Sequence, residues 1–186
     1  MSLRKQAISG IRWTTFSSLG RAAMQFLQIA ILARLLAPSD FGLIALVVAI
    51  MAFLQIFADA GISNAIIHYQ EIRQEQLSSL YWLNVGVSVL LALALAGSSG
   101  LVSTWYQQPK LQYLLMLAAL TLVVTALGQQ LRVVAQKNLR FAELARVELL
   151  GALAGFCVAV VLALAGVGVY ALMIGSLSAA GVVCLL

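Results

Sequence analysis

Long apolar runs, each bounded by a few polar or charged residues, make up almost the whole chain. A helix that crosses the hydrocarbon core of a bilayer needs about 20 mostly apolar residues. By that criterion the pattern predicts six spanning helices, over residues 12–36, 42–67, 77–101, 111–134, 149–165 and 169–186. The runs lack strict alternation and are far too long for barrel strands. The predicted fold is therefore an all-α integral membrane bundle of six transmembrane helices.

Glycine and proline mark several of the predicted helix ends and contacts. Pro38 cannot continue the first helix, because proline lacks the backbone N–H that a helix interior needs. A Gly-Val-Gly segment at 166–168 separates the fifth and sixth helices. Gly151 and Gly155 form a G-x-x-x-G pattern, which lets two helix backbones approach closely. This pattern predicts a packing contact of the fifth helix, with no chemical role.

The overall composition excludes several classes of protein. Hydrophobic residues make up 63% of the chain and charged residues 9%, whereas a soluble domain carries about 25% charged residues. A soluble globular domain, a disordered chain and a nucleic-acid-binding protein are thus excluded. The single histidine and the two cysteines, Cys157 and Cys184, have no metal-ligand spacing, so no metal or cofactor is predicted. No catalytic motif is present either, and we expect the chain not to be an enzyme.

The basic residues outside the spans predict the orientation of the chain in the membrane. Cytoplasmic connections of membrane proteins carry an excess of Lys and Arg. If the N-terminus is cytoplasmic, the outer side holds only Arg34 and Lys110. The cytoplasmic side then holds eight basic residues, namely Arg4, Lys5, Arg12, Arg73, Arg132, Lys137, Arg140 and Arg146. This asymmetry predicts a cytoplasmic N-terminus.

A polar stripe along the first helix is a candidate binding surface. It consists of Thr14, Ser17, Arg21, Gln25 and Gln28, which follow the spacing of one helix face. Arg21 lies nine residues past Arg12, or about 13.5 Å along the axis, which is too deep for easy contact with water. We interpret the stripe as a cationic cavity wall for an anionic ligand, with Trp13, Phe16, Phe26 and Leu27 mostly on the lipid side. A polar contact between helices is the alternative.

The second helix carries an acidic residue at a similar predicted depth. Gln55, Asp59 and Ser63 form one stripe of this helix, and Asn64 and His68 form a second pair one turn apart. A lone carboxylate inside a membrane is costly, so ionisable groups there are usually paired. We therefore hypothesise that Asp59 forms an ion pair with the first-helix arginine. The alternatives are a fixed structural pair and a proton-accepting role of Asp59 in ion coupling.

The coupling hypothesis for Asp59 has a direct test. An Asp59→Asn substitution removes the ionisable group while it keeps the shape of the side chain, so ion-coupled transport should be lost. The measurement is substrate movement in membrane vesicles with an imposed ion gradient. Retained ion-coupled transport in the Asn variant would exclude this role for Asp59.

Several short segments, taken in order along the chain, resemble one known family of membrane exporters. They are Met1–Arg4, Ile8–Gly10 with Trp13, Leu32–Arg34, Phe41–Leu43, Asp59–Asn64 with Ile66 and Ile67, Leu80–Gly86, Gly128–Gln130 with Arg132, Gln136–Lys137, and Phe141. With this set, the chain resembles the N-terminal half of Wzx-type polysaccharide flippases, in the multidrug/oligosaccharidyl-lipid/polysaccharide exporter superfamily. Within it, the colanic-acid and exopolysaccharide exporters are the most similar.

The resemblance implies a fold and a function. Members move oligosaccharide repeat units, linked to undecaprenyl pyrophosphate, across the bacterial inner membrane for exopolysaccharide or lipopolysaccharide biosynthesis, and polymerase and export proteins act afterwards. They consist of two six-helix bundles around a cavity and work by alternating access, usually with an ion gradient as the proposed drive. We therefore expect residues 1–186 to form the N-terminal lobe of a longer carrier, with the C-terminal lobe missing.

The resemblance and the polar stripes together suggest the site residues. An arginine in a low-dielectric site can hold a pyrophosphate, so Arg21 is the candidate contact to the head group. The expected substrate-binding residues are Arg21, Gln25, Gln28, Gln55 and Asn64, and Asp59 is the expected ion-coupling or ion-pair residue. A drug or cation antiporter of the same superfamily, a membrane enzyme of envelope glycan synthesis and a membrane scaffold remain as alternatives. An acidic cavity would favour the antiporter, and a loop rich in acids or histidine would favour the enzyme.

Overall fold

The computed structural model describes residues 3–59, 74–137 and 140–185, and every regular element within them is an α-helix. The helices are α1 (Leu3–Leu35), α2 (Pro38–Asp59), α3 (Gln74–Trp105), α4 (Pro109–Lys137), α5 (Phe141–Leu164) and α6 (Tyr170–Leu185). The first five are long and apolar enough to cross a membrane, and α6 is an apolar helix of 16 residues. The predicted all-helical membrane fold is thus confirmed.

Some helices extend beyond the apolar runs that revealed them. The fifth helix begins at Phe141, whereas its apolar run begins at Leu149. Its first turn carries Glu143, and an acidic side chain is favourable at the positive N-terminal end of a helix. Hydropathy marks the edge of the membrane, while the helix continues as long as its backbone hydrogen bonds do. Residues 60–67, expected at the end of the second helix, lie outside the described part of the chain.

The connections that glycine and proline predicted are present. Helix α1 ends at Leu35 and α2 begins with Pro38, a position where the missing N–H costs no hydrogen bond. Between α5 and α6, Gly166 has a φ of 79° and Gly168 a φ of 69°. Residues other than glycine rarely adopt this left-handed backbone conformation, so the two glycines allow the sharp reversal of the chain.

The chain forms two compact units. One contains residues 1–36 and 131–186, and the other contains residues 37–130. In the first unit α5 is central, because it packs against both α1 and α6. In the second unit α2 contacts α3, and α4 contributes fully buried leucines at 111, 114 and 115. Helix α4 has residues in both units.

Large apolar side chains cover much of the outer surface of these helices. Among the residues more than half exposed are Phe16, Phe26, Phe53, Ile56 and Leu93. Monomeric soluble proteins rarely expose contiguous apolar surface of this kind, whereas hydrocarbon solvates it without cost. The exposed apolar surface fits a multi-pass membrane protein, whose solvent is the lipid.

The contact between α5 and α6 depends on glycine. A Cβ atom added to Gly155 would lie 2.8 Å from the carbonyl oxygen of Gly175, and one added to Gly175 would lie 2.8 Å from the oxygen of Gly155. Each glycine therefore packs directly on the backbone of the other helix. Gly151 approaches Ala179 in the same way, one turn earlier on α5. The packing role predicted for the G-x-x-x-G pattern is confirmed.

We expect a Gly155→Ala substitution to destabilise the protein by about 1–3 kcal/mol, because the added methyl group meets backbone that cannot move aside. The matched control is Gly97→Ala in α3, where a Cβ atom meets nothing within 4 Å. That change should be neutral or stabilise the protein by about 0.5–1 kcal/mol. The free energy of unfolding in mixed micelles measures both. Equal effects of the two substitutions would contradict the close backbone contact.

Candidate functional site

Arg21 lies on the face of α1 that packs against α5, and it forms an ion pair there. Its Nη1 atom is 2.9 Å from Oε2 of Glu148 on α5. The second carboxylate oxygen, Oε1, is 2.6 Å from Nη2 of Arg132 near the end of α4. One carboxylate on α5 thus contacts two guanidinium groups, one from α1 and one from α4. We refer to Arg21, Glu148 and Arg132 as the Arg–Glu–Arg cluster.

The cluster combines a buried anion with two accessible cations. The side chain of Glu148 is 9% exposed, whereas those of Arg21 and Arg132 are 35% and 47% exposed. Two positive charges and one negative charge leave a net charge of +1. Each guanidinium group has five N–H donors, and a single carboxylate cannot use all of them. The cluster therefore presents spare donors and positive charge on its open side.

The hydrogen bonding within the cluster is uneven. Oε1 of Glu148 has no hydrogen-bond partner among the described residues. Its short contact with Arg132 is thus an ion pair without an aligned hydrogen bond. Arg21 also donates from Nη2 to Oγ of Ser18, at 3.4 Å, on its own helix. Arg21 is therefore held at two places, and Arg132 by charge alone within this cluster.

One member of the cluster lies inside an apolar span, and a second lies at the edge of another. Arg21 is six positions past the start of the apolar span Thr15–Leu35, and Glu148 directly precedes the continuous apolar run of α5, which begins at Leu149. At 1.5 Å per residue the offset of Arg21 is about 9 Å along the helix axis. Arg132 follows the end of the span Pro109–Gln129. Charges at this depth attract each other more strongly than at a water-exposed surface, and leaving one of them unpaired is costly.

Small and aromatic residues bring α1 and α5 together at the cluster. A Cβ atom on Gly20 would lie 2.9 Å from Cδ2 of Leu149, so the side chain of Leu149 on α5 packs directly over Gly20. Ser17 is buried on the same face. At one end of this contact, the guanidinium group of Arg146 on α5 lies over the ring of Trp13 on α1. Its Cζ atom is 5.5 Å from the ring centroid, a cation–π geometry. Trp13 was expected mostly on the lipid side, but it is half-buried and its ring faces α5.

The predicted glutamines are distributed over different surfaces. Gln28 is half-buried, as is Arg21, so these two share the inner face of α1. Gln25 is exposed, beside the exposed Phe26, and so the structure does not group it with Arg21. Gln55 is exposed on α2, which belongs to the other unit.

Asn64 and the side chain of Asp59 lie outside the described part of the chain. The proposed Arg21–Asp59 pair thus stays a prediction, and the partner that the structure gives Arg21 is Glu148. Sequence reasoning gave Glu148 no role, because the predicted fifth span began one residue after it. A sequence signal was nevertheless present. Glu148 directly precedes a long apolar run, where a carboxylate needs a cationic partner.

The second unit has polar features of its own. Asp40, buried in the first turn of α2, is 3.2 Å from Nζ of Lys110, and this pair borders a cavity of about 350 Å³ with Tyr106 and Gln108. The N-terminal position of Asp40 is favourable for a carboxylate. On α3, Oδ1 of Asn84 and Oγ of Ser88 are buried without a hydrogen-bond partner in the described residues. Nothing in the sequence patterns distinguished these groups from ordinary helix packing.

We expect the Arg21–Glu148 pair to contribute measurably to stability. In a double-mutant cycle with Arg21→Ala and Glu148→Ala, the coupling free energy should be about 1–2 kcal/mol, a value reduced from that of a fully buried pair because Arg21 is partly exposed. The measurement is the free energy of unfolding in mixed micelles.

The control cycle uses Arg140 and Glu143, an exposed pair at 2.7 Å on neighbouring turns. Its coupling should be about 0.3 kcal/mol, as for other surface pairs. A coupling for Arg21 and Glu148 as small as that of the control would show that the buried carboxylate does not hold α1 to α5.

Comparison with known proteins gives a consistent set of matches. Residues 31–186 match the family model described as polysaccharide biosynthesis protein. The lipopolysaccharide biosynthesis protein WzxC of Escherichia coli is 35% identical over 161 residues, which cover 87% of this chain and 33% of that protein. The teichuronic acid biosynthesis protein TuaB of Bacillus subtilis is 32% identical over 148 residues, 80% of this chain and 31% of that protein.

A more distant relative carries a transport name. The succinoglycan biosynthesis transport protein ExoT of Rhizobium meliloti is 27% identical over 169 residues, 91% of this chain and 34% of that protein. The chain spans about a third of the length of the curated relatives it matches. No solved structure matches the chain.

Proposed function

Because the chain belongs to the polysaccharide biosynthesis protein family, we propose that it forms part of a carrier for lipid-linked oligosaccharides in the bacterial inner membrane. The carrier moves a repeat unit, bound to undecaprenyl pyrophosphate, from the cytoplasmic to the periplasmic leaflet. The step is a movement without covalent chemistry, so the protein is a transporter and not an enzyme. The transport name of one relative and the polysaccharide names of the others support this assignment.

The accessible positive charge inside a membrane span is the observation that carries the proposal. A pyrophosphate head group is strongly hydrated, and moving it into hydrocarbon without a partner is prohibitive. Arg21 is partly exposed while Glu148 holds its other side, so it can donate hydrogen bonds to a phosphate oxygen. The net charge of the Arg–Glu–Arg cluster also favours an anion over a cation.

Neutral polar side chains would bind the sugars of the substrate. Amide groups both donate and accept hydrogen bonds, as hydroxyl groups of a saccharide require. Gln28 lies on the inner face of α1 with Arg21, while Gln25 and Gln55 are exposed. We propose these three, with Asn64, as saccharide contacts, and Asp59 as the residue of ion coupling. The prenyl chain would remain in the surrounding lipid.

The orientation and the rest of the carrier complete the proposal. With the N-terminus in the cytoplasm, the beginnings of α1 and α5 face the leaflet in which the lipid-linked unit is made. The Arg–Glu–Arg cluster, near these ends, is then placed to receive the head group. A second helical lobe would provide the other wall of the cavity for alternating access. Polymerase and export proteins would act on the product at the periplasmic side.

We expect an Arg21→Ala substitution in the complete protein that carries this chain to lower surface polysaccharide at least about tenfold, the loss that corresponds to one charge-assisted hydrogen bond. Arg21→Lys keeps the charge but not the planar fork of donors, so it should retain part of the activity. The assay uses a strain that lacks its own exporter, and polymer and membrane protein level are measured together.

The matched control is Arg34→Ala, an exposed arginine in the last turn of the same helix. It should leave polymer unchanged within about twofold, since it lies at the helix end far from the cluster. Normal polymer in both Arg21 variants, at normal protein level, would refute the head-group role. Equal losses in the Arg34 variant would attribute the effect to helix α1 in general.

A further inference from the structure

The two arginines of the Arg–Glu–Arg cluster contact the two oxygens of the same carboxylate. Nη1 of Arg21 is 2.9 Å from Oε2 of Glu148, and Nη2 of Arg132 is 2.6 Å from Oε1. Two guanidinium groups that share one carboxylate are close enough to share another small anion. They come from α1 and α4, and the carboxylate comes from α5. The chain therefore contains a two-arginine anion site that its own side chain fills.

We propose that Glu148 occupies this site when the carrier is empty, and that a diphosphate head group displaces it. This inference rests on the proposed function and adds Arg132 and Glu148 to it. Arg132 becomes the second cation of the head-group site, and Glu148 becomes an internal competitor. A diphosphate diester carries two negative charges and many acceptor oxygens, so it uses both guanidinium groups more fully than one carboxylate does.

The partial exposure of both guanidinium groups gives an incoming anion access to the site of Glu148. Oε1 of Glu148 lies 2.6 Å from Arg132 with no hydrogen bond assigned to it among the described residues, so charge attraction holds this side of the carboxylate. The half-exposed Arg132 side chain is also open to an incoming ligand. A buried carboxylate released from both cations is costly, so the incoming anion must interact with the two guanidinium groups more favourably than Glu148 does.

A purely structural role for Glu148 is the competing explanation. In that case it holds α1, α4 and α5 together, and its removal lowers stability without improving anion binding. The internal-competitor role predicts the opposite effect on affinity, because a ligand no longer has to displace a charge. The two explanations therefore differ in the sign of the change in affinity, whatever the change in stability.

The test measures binding of a radiolabelled short-chain prenyl diphosphate, farnesyl pyrophosphate, to the complete protein in nanodiscs of neutral lipid. Glu148→Gln should bind it about fivefold or more tightly than the wild type, and Arg21→Ala and Arg132→Ala should bind it about tenfold more weakly. Glu143→Gln is the matched control, because Glu143 is an exposed carboxylate on the same helix that also faces an arginine, at 2.7 Å. It should leave the affinity unchanged.

Further arms identify the ligand and protect the test from misfolding. Farnesol, which lacks the diphosphate, should show no difference between the wild type and Glu148→Gln, and an equal gain with farnesol would overturn the proposal. Inorganic pyrophosphate should compete weakly, since it lacks the lipid tail. Equal competition would assign the site to a soluble anion and overturn the lipid-linked ligand. If Glu148→Gln does not fold, Glu148→Asp, with a shorter reach to the arginines, should show the same tighter binding.

Unchanged or weaker binding in a folded Glu148 variant would overturn the internal-competitor role. This failure differs from failure of the proposed function. If the proposed function is wrong, the Arg21 variants should export polysaccharide normally. If only the internal-competitor role of Glu148 is wrong, the Arg21 variants should still show their export defect. Unchanged affinity in Arg132→Ala would remove Arg132 from the site and also overturn the two-arginine arrangement.

Discussion

The absence of water in the bilayer interior is the constraint on which the structure depends. Backbone groups must be paired within the chain, which leaves helices as the element of every described segment. Side-chain charges must be paired as well, and the Arg–Glu–Arg cluster is how α1, α4 and α5 meet that requirement. The same pairing that makes two arginines tolerable in or near the membrane also keeps them available. An arginine without a partner would be too costly to retain there. An arginine with all of its N–H groups bonded would have no donor left for a ligand.

The fold could be predicted because a lipid solvent selects long apolar runs, which are easy to recognise in a sequence. Apolar runs revealed six helices, and Pro38 and the glycines near residue 167 marked two of the connections that the structure contains. The family resemblance that the short segments suggested is confirmed by the family match over residues 31–186. Helix ends such as Phe141 could not be read in the same way. A charged turn outside the hydrocarbon carries no hydropathy signal, and its continuation depends on backbone hydrogen bonds alone.

The candidate site was predictable only in part. Arg21 was identifiable because an arginine inside an apolar run has few ordinary explanations. Its partner was not, since depth along a helix restricts the possible partners without selecting one. The rotation of a helix about its axis depends on its neighbours, which is why Gln25 is exposed while Gln28 and Trp13 are half-buried. Gly20 and Ser17 lie on the side of α1 that faces α5, and neither residue has a chemical signature that would identify this side from the sequence.

The net charge of the Arg–Glu–Arg cluster has an electrical consequence. Arg21 lies about 9 Å along α1 from the start of its apolar span, so a charge there experiences part of the potential across a membrane that this span crosses. A unit charge that crosses the whole core experiences about 2.3 kcal/mol per 100 mV. The cluster carries +1, and the proposed ligand, a diphosphate diester with two negative charges, would change this to −1. In the proposed carrier, membrane voltage would then act in opposite directions on the empty and the loaded cluster, so the resting potential of the cell would help to determine which of the two states moves.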